Sequence, residues 1–302
     1  MTAVAFFADR NVLAALHVAF ASTAAHWRGS DALDIHLFHS GMTEVDLGAL
    51  HETVAMAKTP VVLHAAAFEP ARVRNWRSLY GSKMPYGRLF LPELLPQHDE
   101  VLYLDADVIV EMDVRRIVSA RGSDGVVSAM KAWDFAHSHD ADLAAEFGIA
   151  GSEPYFHSGL LVFALDRWRA ENLLAKCLDF GDRHGRQLHS HDQTILNIVC
   201  HGRIDPLPRE LTTHLYPTDS AVPEHGDATI HNFCGSPKPF DPLGNVLNAH
   251  FALFNRWLDR TALAKWSPNS FEQLRQVVRN VRLLKPMLAT AAKMTARRLR
   301  RR

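Results

Sequence analysis

The chain has 302 residues and no net formal charge, with 47% of residues apolar and 22% charged, which suits one large α/β core and excludes intrinsic disorder as the default. Cys177, Cys200 and Cys234 are too few and too scattered for a disulfide framework or a C-x-x-C metal pair, so a reducing cytosol is expected. The opening MTAVAFFADRN has neither a basic start nor a long apolar stretch, and no run of about eighteen apolar residues occurs anywhere, so neither a signal peptide nor a spanning helix is expected.

Residues 4–8 make a short apolar strand ending at Asp9, and the Ala-rich spacing over 12–27 predicts a helix. A second unit follows, with Ile35, Leu37 and Phe38 as strand and 44–58 as helix, and residues 61–64 begin a third strand. Strands alternating with helices predict a parallel sheet covered on both faces. Residues 86–95 read as a helix whose length Pro92 and Pro96 limit.

Residues 101–110, VLYLDADVIV, form an apolar strand interrupted by Asp105 and Asp107 with Ala106 between them. Positions i and i+2 of a strand share a side, so both carboxylates can converge on one cation beyond the strand's carboxyl end. Oxygen ligands of this kind suit Mg²⁺ or Mn²⁺. A solvated acidic edge is the plainer reading, but the flanking Val101, Leu102, Leu104, Val108, Ile109 and Val110 mark a buried strand. Two chemistries use such a pair: sugar transfer, in which a metal grips a nucleotide diphosphate, and haloacid-dehalogenase-type phosphoryl transfer, in which the first aspartate is phosphorylated. The second usually places its aspartates on the first strand, whereas here several strand and helix units come first. Beyond the acids, 126–130 and 160–165 read as strands, 166–184 and 191–199 as helices, and the Pro- and His-rich stretch 203–241 as loops closing over a cleft.

Five segments, FFADRN, RLFLPELLPQHDEVLYLDADVIV, PYFHSGLLVFALDRW, HDQTILN and IHNFCGSPKPF, occur in an order that resembles glycosyltransferase family 8, the retaining enzymes that include bacterial lipopolysaccharide α-galactosyl- and glucosyltransferases and glycogenin. The resemblance implies a single A-type, Rossmann-like α/β domain over residues 1–260 with a mixed, mainly parallel sheet, followed by a helical extension over 261–302. It implies that Asp105 and Asp107 hold Mn²⁺ or Mg²⁺ against a UDP-hexose, with Asp105 and Ala106 also at the donor. Lys238, after Gly235, matches a lysine that contacts the diphosphate. Asp9 and Asn11 match residues that recognise uracil and ribose, with a helix cap as the plainer alternative. The turn after the first strand lacks a Gly-rich phosphate loop, which disfavours a dinucleotide-binding enzyme.

Arg88 matches an arginine near the donor sugar, and a structural pairing with Asp105 is the competing role. Asp192 and Gln193 fall on the family's catalytic D-Q segment, where the aspartate binds sugar hydroxyls and the amide lies near the reacting carbon. A dipole-favoured acid at a helix start is the alternative for Asp192. His157 and Ser158 fall beside the sugar. The chain departs from the family pattern at four places: Thr194 stands where a second aspartate is commonest, His157 where asparagine is usual, Lys131 near where a donor-binding acid is often found, with Asp134 as its candidate substitute, and Asn232 where a histidine usually completes the metal site. His231 is one residue early, so either His231 or Asn232 is the third ligand, and an extended backbone makes the two exclusive.

The tail from residue 271 carries Leu274, Val277, Val278, Val281 and Leu284 at helical spacing among arginines, and no acid follows Glu272. It reads as a basic amphipathic helix for anionic inner-leaflet lipid. A solvated tail is the plainer alternative, and nucleic acid is disfavoured because no aromatic residue interrupts the run after Phe271 and the body is acidic. The expected protein is therefore a metal-dependent, retaining hexosyltransferase that uses UDP-galactose or UDP-glucose on a cell-envelope saccharide or glycolipid, lipopolysaccharide core first, cytoplasmic and peripheral on the inner membrane. A non-catalytic nucleotide-sugar-binding protein of the same fold is the alternative.

Overall fold

In the computed structural model, which describes residues 2–219, 229–269, 288–290 and 292, the N-terminal apolar run is strand β1 (Ala3–Asp9), buried except at its last residue. It pairs in parallel with β2 (Leu33–Ser40), which pairs in parallel with β3 (Val61–Ala67). On the other side of β1 lies β4 (Glu100–Leu104), again parallel. The remaining strands are β5 (Val108–Val110), β6 (Val127–Asp134), β7 (Pro154–Ala164), β8 (Ile204–Leu207), β9 (Thr212–Leu215) and β10 (Ile230–Phe233). The large sheet runs β3-β2-β1-β4-β7-β6-β8, and a small second sheet runs β5-β10-β9. Strand β7 is antiparallel to both β4 and β6, so the sheet is mixed but mainly parallel.

The helix Leu13–His26 is buried almost all round because it lies between two cores. Leu16, Ala19 and Phe20 pack with Val4, Phe6, Ile35 and Leu37 of the large sheet. Ala14, Ala15, Val18 and Ala21 pack with Ile109, Phe233 and Phe254 on the other side. Its many alanines permit that close approach, and Ser22 Oγ accepts the Val110 N–H at 3.0 Å, tying the helix to β5. The helix Glu44–Ala55 starts in a capping box between Thr43 and Asp46.

Several local expectations are corrected. Residues 101–110 are not one strand: β4 ends at Leu104 and β5 begins at Val108 in the other sheet. The acids stand in the crossing between the two sheets, in neither β4 nor β5. Residues 86–95 form a 3₁₀ segment, Met84–Phe90, running into a short helix, Leu91–Leu94. Pro85 and Pro92 lack the N–H groups a continuous α-helix needs, and Gly87 sits so close to the Phe7 ring that an added Cβ meets it at 2.1 Å. The helix expected over 166–184 breaks at Asn172, with φ 52°, into Leu165–Ala170 and Leu173–His184. The stretch 203–241 holds β8, β9 and β10 where loops were expected, although part of it lies outside the described residues.

Helix Phe251–Leu258 follows, and contacts with the body continue to Asn269, whose Oδ1 accepts the Leu243 N–H at 3.0 Å. The amphipathic helix expected from residue 271 lies outside the described residues except for 288–290 and 292. Of these, Thr290 donates its hydroxyl to the Ser236 carbonyl at 2.9 Å. Among the described residues, no helix is long and apolar enough to cross a membrane.

Candidate active site

At the break between β4 and β5, the Asp105 N–H donates to the Gly159 carbonyl at 2.9 Å and the Phe233 N–H donates to the Asp107 carbonyl at 3.0 Å. The crossing segment is thereby pinned between β7 and β10. A Cβ placed on Gly159 would lie 2.9 Å from Asp105 Oδ2 and 3.0 Å from Asn232 Nδ2. Both side chains therefore occupy the space that the missing side chain leaves, so the Asn232 amide lies beside the Asp105 carboxylate. His231 faces the other way, as strand alternation requires, and its Nε2 lies 3.0 Å from Glu111 Oε2. That contact is the first cause of a Glu111 carboxyl held down at about 2.

Asp107 is the most constrained acid. Its Oδ2 accepts from Lys238 Nζ at 2.5 Å, while its Oδ1 is buried with no hydrogen-bond partner among the described residues. Burial, with help from the Asp105 charge, pushes its carboxyl up despite Lys238. Burial alone would lower the Lys238 ammonium, but the charge and hydrogen bond of Asp107, with lesser contributions from Cys234 and Asp241, together outweigh it and hold the amine in its charged form. Lys238 also donates to the Phe233 carbonyl, and it is aimed by a loop with Gly235 at φ +71° and a cis Ser236–Pro237 bond. A buried carboxylate oxygen without a partner, two acids and an amide with oxygen donors fit a hard divalent cation.

Arg88 stands behind the acids, 3% exposed. Its Nη2 donates to Asp105 Oδ1 at 2.9 Å, its Nη1 to the Ser158 carbonyl, and its Nε to the Pro85 carbonyl at 2.9 Å. Asp192 Oδ2 lies 3.2 Å from the same Nε. Because that single N–H is already directed to Pro85, the contact is one of charge and not a hydrogen bond, which accounts for Asp192 Oδ2 being left without a partner. Burial raises the Asp192 carboxyl to about 6, against the pull of Arg88. The pairing of Arg88 with acids is therefore present, at Asp105 and Asp192 together. Asp192 also opens the helix Asp192–Val199, so the dipole reading and a place at the cleft coexist.

Gln193 Oε1 accepts the Ser158 N–H at 3.1 Å, fixing its amide to β7. Thr194 turns into the core, where its hydroxyl donates to Asp140 Oδ2 at 2.9 Å. His157 is pushed down to about 4, by burial first and then by neighbouring His214, whose ring centroid lies 4.6 Å away. It is thus a neutral imidazole. Lys131 and Asp134 pair with each other at 2.7 Å on the exposed end of β6. Asp9 and Asn11 lie at the carboxyl end of β1, where Asp9 Oδ1 accepts the Asn11 N–H at 3.0 Å and caps a 3₁₀ turn. Asp9 is thus the capping residue, and Asn11 is exposed.

Three contributors escaped the sequence reading. Tyr103 donates its hydroxyl to Asp105 Oδ1 at 2.5 Å and carries the Arg88 guanidinium over its ring at 4.2 Å. Asn197 bridges the Phe156 N–H and carbonyl at 2.7 and 2.8 Å, docking the Asp192–Val199 helix to β7. His214 closes on His157. The first carried a usable signal, since Tyr103 lies two residues before Asp105 on an alternating strand, whereas the other two depend on packing between segments.

The family model for glycosyl transferase family 8 matches residues 3–242. A lipopolysaccharide 1,3-galactosyltransferase of Salmonella typhimurium is 22% identical over 256 residues, 80% of this chain and 73% of that protein. A putative glycosyltransferase of Haemophilus influenzae is 22% identical over 178 residues, 57% of this chain and 53% of its own length. The match likewise covers 60% of general stress protein A from Bacillus subtilis, so the chain spans little more than half the length of these two relatives. Among solved structures, the galactosyltransferase LgtC with donor and acceptor sugar analogues superposes at a TM-score of 0.71 and 20% identity, covering 86% of this chain and 96% of that one. At that identity the likeness establishes the fold.

Proposed function

Because the chain belongs to glycosyl transferase family 8, we propose that it is a metal-dependent, retaining hexosyltransferase moving galactose or glucose from a UDP-sugar to a cell-envelope saccharide such as lipopolysaccharide core. What supports this reading is the Asn232 amide beside the Asp105 carboxylate, the charge interaction between Asp105 and Asp107, and Lys238 on one Asp107 oxygen while the other is buried and unpartnered among the described residues. Asp105, Asp107 and Asn232 would hold Mn²⁺ or Mg²⁺, whose positive charge would be available to the leaving diphosphate. Asn232, not His231, is the third ligand, because His231 is committed to Glu111.

Lys238, held on Asp107 at 2.5 Å, would supply a second positive charge to the diphosphate. Asp9 and Asn11 sit where the nucleoside enters, at the carboxyl edge of β1. Arg88 holds Asp105 and Asp192 in fixed relation, Asp192 and His157 meet sugar hydroxyls, and the Gln193 amide, steadied by Ser158, faces the reacting carbon. With Thr194 buried on Asp140, retention proceeds by front-face attack: the acceptor oxygen bonds to the anomeric carbon as the bond to diphosphate breaks, and the acceptor proton passes to a leaving phosphate oxygen. The basic tail brings the enzyme to an anionic inner-leaflet surface on the cytoplasmic side.

Release of hexose from UDP-galactose or UDP-glucose in Mn²⁺ tests the reading, with abolition expected on chelation and in Asp105→Ala/Asp107→Ala. UDP binding with no sugar released from any donor would instead mark a non-catalytic member of the fold. Deleting residues 272–302 is expected to end sedimentation with anionic liposomes while leaving donor hydrolysis intact.

A further inference from the structure

A second group of metal-ligating side chains lies at the opposite end of the large sheet. Asp34 and His36 point to the same face of β2, being two residues apart. His64 sits beside His36 on β3 in the parallel register, and His98 comes from the turn before β4, its N–H bonded to the Leu95 carbonyl. Asp34 at the start of β2 and Ser40 at its end are separated by six residues, about 20 Å at strand rise, and Ser40 pairs with Asp9 at the donor edge. The two sites are therefore separate.

Three imidazole Nε2 atoms converge on one carboxylate. His36 Nε2 lies 3.1 Å and His98 Nε2 3.7 Å from Asp34 Oδ2, and His64 Nε2 lies 2.8 Å from Oδ1. One ligand atom from each of Asp34, His36 and His98 falls within 4.8 Å of the others. A tetrahedral ion with bonds of about 2.0 Å separates its ligand atoms by about 3.3 Å, which the observed spacings bracket. Asp34 is 4% exposed and His36 6%, yet the ion-pair partners of Asp34 among the described residues are imidazoles alone, without lysine or arginine. Oδ1 has no hydrogen bond among the described residues, although His64 Nε2 lies 2.8 Å away.

We propose that Asp34, His36 and His98 form a binding site for a borderline transition-metal ion, zinc foremost, with His64 on the second oxygen of Asp34 orienting that carboxylate, so that the ion clamps β2 to the turn that leads into β4. Nitrogen-rich coordination separates it chemically from the oxygen-donor site at Asp105 and Asp107, which selects harder ions. It does not depend on the proposed transferase activity.

The test uses untagged full-length protein stripped with chelator, then titrated with Zn²⁺ by calorimetry and with Co²⁺ by visible absorption. One equivalent is expected to bind and raise the melting temperature, with intense tetrahedral Co²⁺ bands. Asp105→Ala/Asp107→Ala is expected to retain that equivalent, whereas His98→Gln and His36→Gln each weaken it by about 100-fold. His98 lies on a turn and His64 is half-exposed, so His98→Gln and His64→Gln remain informative even where His36→Gln does not fold. Unchanged Zn²⁺ stoichiometry and affinity in both, or loss of the equivalent with the Asp105/Asp107 pair, overturns the proposal. So does the absence of any bound equivalent, which would leave the group as a hydrogen-bonded histidine–aspartate cluster.

Discussion

Gly159→Ala tests the site without touching a ligand. The added Cβ would stand 2.9 Å from Asp105 Oδ2 and 3.0 Å from Asn232 Nδ2, where ordinary contact begins at 3.4 Å, so the carboxylate oxygen must retreat by about 0.5 Å, more than the roughly 0.2 Å tolerance of a metal–ligand bond. Asp105 cannot simply swing away, because Arg88 and Tyr103 hold its Oδ1 at 2.9 and 2.5 Å. The apparent Mn²⁺ affinity in donor hydrolysis is expected to fall about 10- to 100-fold. Alanine gains about 0.5–1 kcal/mol over glycine inside a strand, but overpacking costs about 1–3 kcal/mol, so the metal-free melting temperature is expected to hold or fall slightly. Mn²⁺ titrations of the two proteins followed by released hexose, alongside metal-free melts, check both halves. Identical half-saturation by Mn²⁺ would refute the placement of Asp105 and Asn232 around one ion.

Lys238→Ala leaves Asp107 buried without its cation, and is expected to cost about 3 kcal/mol in metal-free urea unfolding at neutral pH, with much of the loss recovered on adding Mn²⁺. Arg88→Lys replaces a fork that reaches Asp105, Asp192 and two backbone carbonyls with a point charge, and kcat/KM for donor hydrolysis is expected to drop by about 100-fold or more. Glu111, held at about 2 by His231 and by Trp257 at 3.0 Å, contributes stability that is complete above its ordinary value of 4.5 and lost as pH falls through about 2. Glu111→Gln is therefore expected to lose about 1–2 kcal/mol at pH 7, after allowance for solvent screening, and the gap to the parent should close in acid unfolding curves near pH 3 and below.

Much of the sheet was legible because β1, β2 and β4 are apolar runs whose length and punctuation are local properties. The Asp-Ala-Asp interruption was visible for the same reason. The argument that strand alternation aims both acids was not correct, since neither lies in a strand. Their placement comes from the crossing between two sheets, which depends on β10 pairing with β5. In the extended β10, His231 meets Glu111 while Asn232 lies beside Asp105, an arrangement set by the pairing of β10 with β5 and β9.

By itself, then, the amino-acid order determined the succession of strands and helices, the acid pair and the family, because patterning and motifs are written in neighbouring residues. Tertiary structure decided which side chains meet. Arg88 joins Asp105 to Asp192 across 17 and 104 residues of chain, and His36, His64 and His98 gather on Asp34 from three segments. Periodicity specifies the face on which a side chain emerges, but the partner opposite that face is supplied by a distant segment brought there through burial of the shared core.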